Sequence, residues 1–168
     1  MPSENIEGVL GHKKVVSKYM QVVASDLFGR AIVHDYSKFS PEEFDVFEEV
    51  TPLLKSLEYG SEEYRIVLHQ LKPALNHHYA VNSHHPEHYP NGINDMTLID
   101  LIEMVCDWMA AVQRMKDGDI NKSLEINKER FMIDDQLFAI IKNTVVRIDQ
   151  FYGQVDIDLP LVEDGGDW

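Results

Sequence analysis

Apolar residues recur at three- and four-residue steps along most of this chain, the spacing of helices that bury one stripe. Strand-type alternation is weak throughout. The pattern predicts an all-α fold, a compact single-domain bundle of about six to seven helices, spanning residues 1–155. A first helix is expected from about Ile6 to Phe28, with Val9, His12, Val16, Met20 and Val23 close to one face and Gly29 as its stop. A short helical piece then carries Ala31 to Lys38. Ser40-Pro41-Glu42-Glu43 predicts a new start: serine caps, proline suits the first turn, and glutamates favour the positive helix end. That helix should reach roughly Leu57. Gly60-Ser61-Glu62-Glu63 opens another, kinked at Pro73 and running into a histidine-rich segment. His85 to Asn94 holds two prolines and a glycine with no periodicity, which predicts a loop. Thr97 to Asp117 is the clearest amphipathic helix, with Leu98, Ile102, Val105, Met109 and Val112 on or near one stripe and Gly118 ending it. Two more helices are expected, at about Ile120 to Arg130 and Asp134 to Tyr152.

Composition narrows the setting. A chain of 168 residues with 44% hydrophobic residues can bury a core without disulfide or metal staples. The one cysteine, Cys106, falls in an apolar helical pattern and reads as a small core residue. With no partner cysteine, no signal-peptide pattern and no apolar run of membrane-span length, a cytoplasmic protein away from the membrane is the expectation. The net charge of −14 disfavours stable nucleic-acid binding, because a phosphate backbone needs Lys and Arg. A small anionic substrate stays compatible, since a bound cation reverses the local field. Part of the negative charge is terminal: Asp156, Asp158, Glu163, Asp164 and Asp167 occur with no Lys or Arg, which predicts a solvated acidic tail over residues 156–168.

The chemistry concentrates in a few residues. His34-Asp35 stands between His12 upstream, the cluster His77-His78…His84-His85…His88, and Asp107 far downstream. Imidazole and carboxylate groups on separate helices are how an all-helical protein builds a site for divalent ions. His12 lies on the apolar side of the first helix. Lys38 follows Asp35 by three residues, roughly on the same face, where it can meet a phosphoryl oxygen. Tyr64, Leu68, Leu71, Leu75, His78 and Asn82 form one helical face, so His78 should point inward and His77 lean away. Pro86 disfavours a helical His85, which leaves His84 and His85 as competing ligands. Asp100, Glu103 and Asp107 share a face; Asp107 is the candidate ligand and Glu103 its support. His88 and Asn82 are candidates for contacting substrate, His88 also for protonating a leaving oxygen.

The order His12…His34-Asp35…His78…His84/His85…Asp107 resembles the HD-domain superfamily, all-helical proteins that hold one or two divalent metals. His34-Asp35-Tyr36-Ser37-Lys38 is similar to the HD-x-x-K variant of HD-GYP-type phosphodiesterases, where the lysine approaches substrate phosphate. The GYP element is absent. The glutamate that follows the pair in small nucleotidase members is replaced by Ser37-Lys38, which argues against nucleoside monophosphatase specificity. The segments HDYSKFSPEEF, HHYAVNSHHPEHY and LIDLIEMVCDWMAAV look closest to an uncharacterised family frequent in phage and bacterial genomes. The resemblance implies one ion on His12, His34, Asp35 and Asp107, and a second, bridged by Asp35, on His78 with His84 or His85. The metal is Mn, Fe, Co, Zn, Ni or Mg. It implies a phosphohydrolase acting on a nucleotide or other small phosphoester through a metal-activated water, with Asp35, Lys38 and His88 as catalytic groups. Two alternatives carry the same ligands: a diiron oxygenase, and a non-catalytic nucleotide-binding module. A homodimer is compatible with each.

Overall fold

The computed structural model describes residues 4–57, 62–114 and 118–154. The fold is all-α, with seven α-helices and no strand among the described residues. No described helix is long and apolar enough to cross a membrane. The expected acidic tail lies outside the described residues.

Two units are distinguished, Met1–Asp107 and Trp108–Trp168. The first holds α1 (Glu4–Val33), α2 (Phe44–Ser56), α3 (Glu62–Gln70), α4 (Lys72–Val81) and the start of α5 (Leu98–Gln113). Between these run three short 3-10 turns, Tyr36–Phe39, Pro86–His88 and Gly92–Asp95. Val50, Leu71, Ala74, Met104 and Val105 are its buried apolar residues. The second unit holds the end of α5, α6 (Ile120–Arg130) and α7 (Asp135–Tyr152). Its core is Trp108, Leu124, Ile133, Phe138, Ile141 and Val145, with the Trp108 and Phe131 rings stacked at 6.1 Å. Asp119 caps α6 by accepting from the Asn121 and Lys122 amides, and Asp134 caps α7 through Leu137. Both late helices match their expected bounds closely.

Several expectations are corrected. Gly29 does not stop the first helix; α1 runs through it to Val33. A mid-helix glycine costs only about 1 kcal/mol, too little to end a helix whose flanks propagate. Helix α2 begins at Phe44, four residues after Ser40, and the Ser40 hydroxyl caps nothing. At Pro73 the chain breaks into α3 and α4 instead of kinking, with the proline seated in the first turn of α4, where no amide hydrogen is needed. The expected loop holds two of the 3-10 turns. Val105 is buried as expected, but Leu98 and Cys106 are exposed, because α5 turns Asp100 and Met104 inward beside it.

Candidate metal centre

The site is built where α1 stops. Asp35 adopts the left-handed conformation (φ 56°, ψ 16°), which aspartate tolerates better than most residues. The Lys38 amide donates to the Asp35 carbonyl at 2.9 Å, closing the 3-10 turn Tyr36–Phe39. This reversal separates His34 from Asp35 yet leaves both at one helix end, and places Lys38 Nζ 2.6 Å from Asp35 Oδ2. The buried Ala74 and His78 face of α4 lies against that turn, and the segment after α4 supplies His84 and His85.

Three sets of ligand atoms converge among the described residues. Asp35, His78, His84 and His85 each offer an atom within 4.8 Å of the others, as do His34, Asp35 and Asp107, and His34, His84 and Glu103. Asp35 belongs to two of these sets, with one carboxylate oxygen toward each. Its Oδ1 lies 3.2 Å from His78 Nε2 and 3.4 Å from His84 Nε2. Its Oδ2 lies 3.6 Å from His34 Nε2, which is also 3.6 Å from Asp107 Oδ1. His85 Nε2 sits 2.9 Å from His78 Nε2.

The opposite edges of these imidazoles are held by glutamates. His34 Nδ1 and His84 Nδ1 both meet Glu103 Oε1, at 2.9 and 3.2 Å, and His78 Nδ1 meets Glu43 Oε2 at 2.9 Å. A carboxylate on Nδ1 fixes the proton there and leaves Nε2 as a lone pair. Three such lone pairs then face acidic oxygens, an arrangement of acceptor against acceptor that a cation satisfies. Asp35 Oδ1 and His84 Nε2 are buried without a hydrogen-bond partner. Buried polar atoms are rarely left so. The donor set, imidazole nitrogen with carboxylate oxygen, fits a borderline divalent metal.

Without a cation, protons take its place. The Asp107 carboxylate 3.6 Å away, and then the hydrogen bond to Glu103, push His34 up to about 10. Burial pulls His84 down, but Asp35 and Glu103 outweigh it and the net shift is upward. Burial, then the neighbouring positive charge of His84 and His78, holds His85 at about 3. Burial works against ionised Asp35, yet His78, His84 and Lys38 keep it well below the ordinary carboxylate range. Asp107 is lowered as well: burial opposes this, and the His34 imidazole 3.6 Å away prevails. The raised His34 contributes stability that is complete below pH 6.5 and is lost as pH climbs toward 10. The depressed His85 acts oppositely, losing stability as pH falls from 6.5 toward 3, and the lowered carboxylates act in the same sense at still lower pH. Metal-free protein should therefore melt highest near pH 6.5, measured by circular dichroism after chelator treatment. A melting temperature still rising from pH 7 to 9 would contradict the pairing of His34.

Arg30 anchors the far side. Its Nη1 reaches Asp100 Oδ1 at 2.8 Å and Glu103 Oε2 at 2.9 Å, and donates to Ser83 Oγ at 3.2 Å. Asp100 is buried and also accepts from Tyr89, Ser83 and Thr97. The acidic face of α5 is thus turned to a buried network, and Glu103 links that network to the imidazoles.

Of the expected ligands, His34, Asp35, His78, His84, His85 and Asp107 come together, and both members of the His84/His85 pair take part. His12 does not join them. It is exposed on α1, about 30 Å along a straight helix from His34. Asn82 donates its amide to Ser37 Oγ at 2.8 Å and to the His78 carbonyl at 2.7 Å, so it ties the turn to α4. His88 is half-buried and sets Nδ1 3.1 Å from the Tyr79 carbonyl, outside the ligand sets. Sequence reasoning missed Glu43, His77 and Arg30. Glu43 is fully buried between His77 Nδ1 (2.7 Å) and His78. Its signal was present in part: a glutamate just after the His34-Asp35 turn and a doubled histidine downstream. Helix-start logic claimed the glutamate instead. Arg30 has no local signal.

No curated protein and no solved structure matches this chain. A family model described as "Family of unknown function (DUF5662)" matches residues 1–147. Since that match spans most of the sequence, the chain belongs to the DUF5662 family.

Proposed function

We propose that this protein is a metal-dependent phosphohydrolase acting on a small phosphoester, with nucleotides as the first class to test. One observation carries the reading: buried Asp35 Oδ1 and His84 Nε2 face each other without a hydrogen bond, inside a ring of glutamate-braced imidazoles. Divalent ions held by Asp35 with His78, His84 and His85, and by Asp35 with His34 and Asp107, would supply an acidified water and charge stabilisation for in-line displacement. The chain's own residues do the rest. Lys38 is the cation nearest the centre; it contacts Asp35 yet keeps 40% of its side chain exposed, so a phosphoryl oxygen can reach it. Glu43 and Glu103 hold the imidazoles in the metal-binding tautomer. His88, whose Nδ1 donates to the Tyr79 carbonyl, keeps Nε2 free, and as an imidazolium it would pass the Nε2 proton to a leaving oxygen.

The test is phosphate release across a panel of nucleotides and simple phosphoesters with manganese, cobalt or magnesium, paired with elemental analysis. Lys38→Ala should keep its metal and lose about 10²-fold in kcat/KM, the scale of one charge-stabilising donor. Iron-dependent oxygen consumption without phosphate release would replace the reading with an oxygenase. Tight nucleotide binding without turnover would replace it with a binding module.

A further inference from the structure

Helix α1 is 30 residues long, and only Leu27 and Arg30 among its described side chains are even half-buried. At 100° per residue these two share a stripe with Val9, His12, Val16, Tyr19, Met20 and Val23. The helix therefore docks on its own unit through its last turns, while the same stripe continues bare toward the N-terminus. Tyr19 is 70% and Met20 67% exposed, and His12, Val16 and Met20 line a shallow groove. Such a run of apolar side chains is the pattern of a buried face, and His12 is its one imidazole.

We infer that the N-terminal part of α1 is an exchange arm that packs on a second copy of this chain, and that His12 completes the partner's metal centre. This rests on the metal reading above. Three observations select a second copy as the occupant. A continuous helix keeps His12 about 30 Å from its own His34, so only another chain's His12 can reach that centre without α1 breaking. Two α1 helices related by a two-fold axis near Val23 run antiparallel and bring each His12 level with the other chain's His34. Antiparallel helices pack 8–10 Å apart, a spacing across which side chains of both helices meet. Finally, burying Val9, Val16, Tyr19, Met20 and Val23 of both arms removes on the order of 2,000 Å², counting the surface they cover, which is what a stable dimer needs. Swapping an identical element between copies is a low-cost route to such a dimer. The set His34, Asp35 and Asp107 supplies three ligand groups, so a six-coordinate divalent ion has room for an incoming imidazole beside a water.

The experiment combines sedimentation velocity with metal titration of chelator-stripped full-length protein. Wild type should sediment as a dimer, and Val16→Glu with Val23→Glu as a monomer, both substitutions lying on exposed positions. His12→Ala and Asp35→Asn homodimers should each bind metal at least ~10-fold more weakly than wild type. Co-expressed with different tags and purified through both, the mixed dimer should regain one centre of wild-type affinity per two chains. That centre pairs the intact Asp35 of one chain with the intact His12 of the other; without exchange no chain has both. A monomeric wild type that binds metal, or a mixed dimer with no restored centre, overturns the exchange alone. A wild type that takes up no metal overturns the metal centre and the role of His12 together.

Discussion

Asp35→Asn should empty the centre. Asparagine keeps the shape but carries no charge, and Asp35 is the one residue shared by the sets that hold His78, His84 and His85 and that hold His34 and Asp107. Neutralising it leaves the set of His78, His84 and His85 with no carboxylate, and the set of His34 with Asp107 alone to offset a divalent charge. Metal affinity should fall by more than ~100-fold, beyond what loss of a supporting residue does. The phosphohydrolase activity proposed above should fall by roughly 10³-fold or more, the scale of a lost electrostatic element of the transition state. The variant should still fold, because Asn also tolerates the left-handed conformation that Asp35 adopts. Elemental analysis and circular dichroism on the same sample separate the two effects. A folded Asp35→Asn protein with wild-type metal content would remove the pair from any account of the chemistry.

Arg30→Met should cost stability more than any change of the candidate metal ligands themselves. Its guanidinium is the cation between Asp100 and Glu103, whose side chains are 2% and 13% exposed. Methionine keeps the aliphatic length and leaves both carboxylates in place. Breaking a buried charge network by removing one side costs about 3 kcal/mol or more, and for a chain of this size that lowers the melting temperature by roughly 10 °C. Arg30→Lys should recover only part of it, since an ammonium on a shorter stem would have to take up the three Nη1 contacts to Asp100, Glu103 and Ser83 and cannot also hold Asp26 as Nε does. Thermal melts of the metal-free proteins measure this directly. A loss below about 1 kcal/mol would place the network among exposed ion pairs, which contribute little.

Much of the helical layout was readable from apolar spacing and caps. The last two helices were clearest because Asp119 and Asp134 announce them and each helix satisfies its own start. The first helix was misjudged because a glycine was weighed as a stop, when the reversal belongs to Asp35. The candidate ligand on α4 was legible because an inward face could be counted from Leu71 to His78. The supporting carboxylates were harder. Glu43 and Asp100 are buried charges, and nothing local tells a buried glutamate from a solvated one until its partners, His77, His78 and Arg30, are seen across the fold.

By itself the sequence determined the all-α class, most helix bounds and a shortlist of candidate imidazoles and acids that wrongly included His12, because periodicity and capping are local properties. Only the tertiary structure decided that Asp35 faces both ligand sets, that Glu43 and Glu103 hold the imidazole Nδ1 atoms, and that His12 lies far along α1. The physical reason is that tautomer, burial and ligand geometry are set by atoms dozens of residues apart, whose meeting depends on where α1 stops and how α4 and α5 approach it.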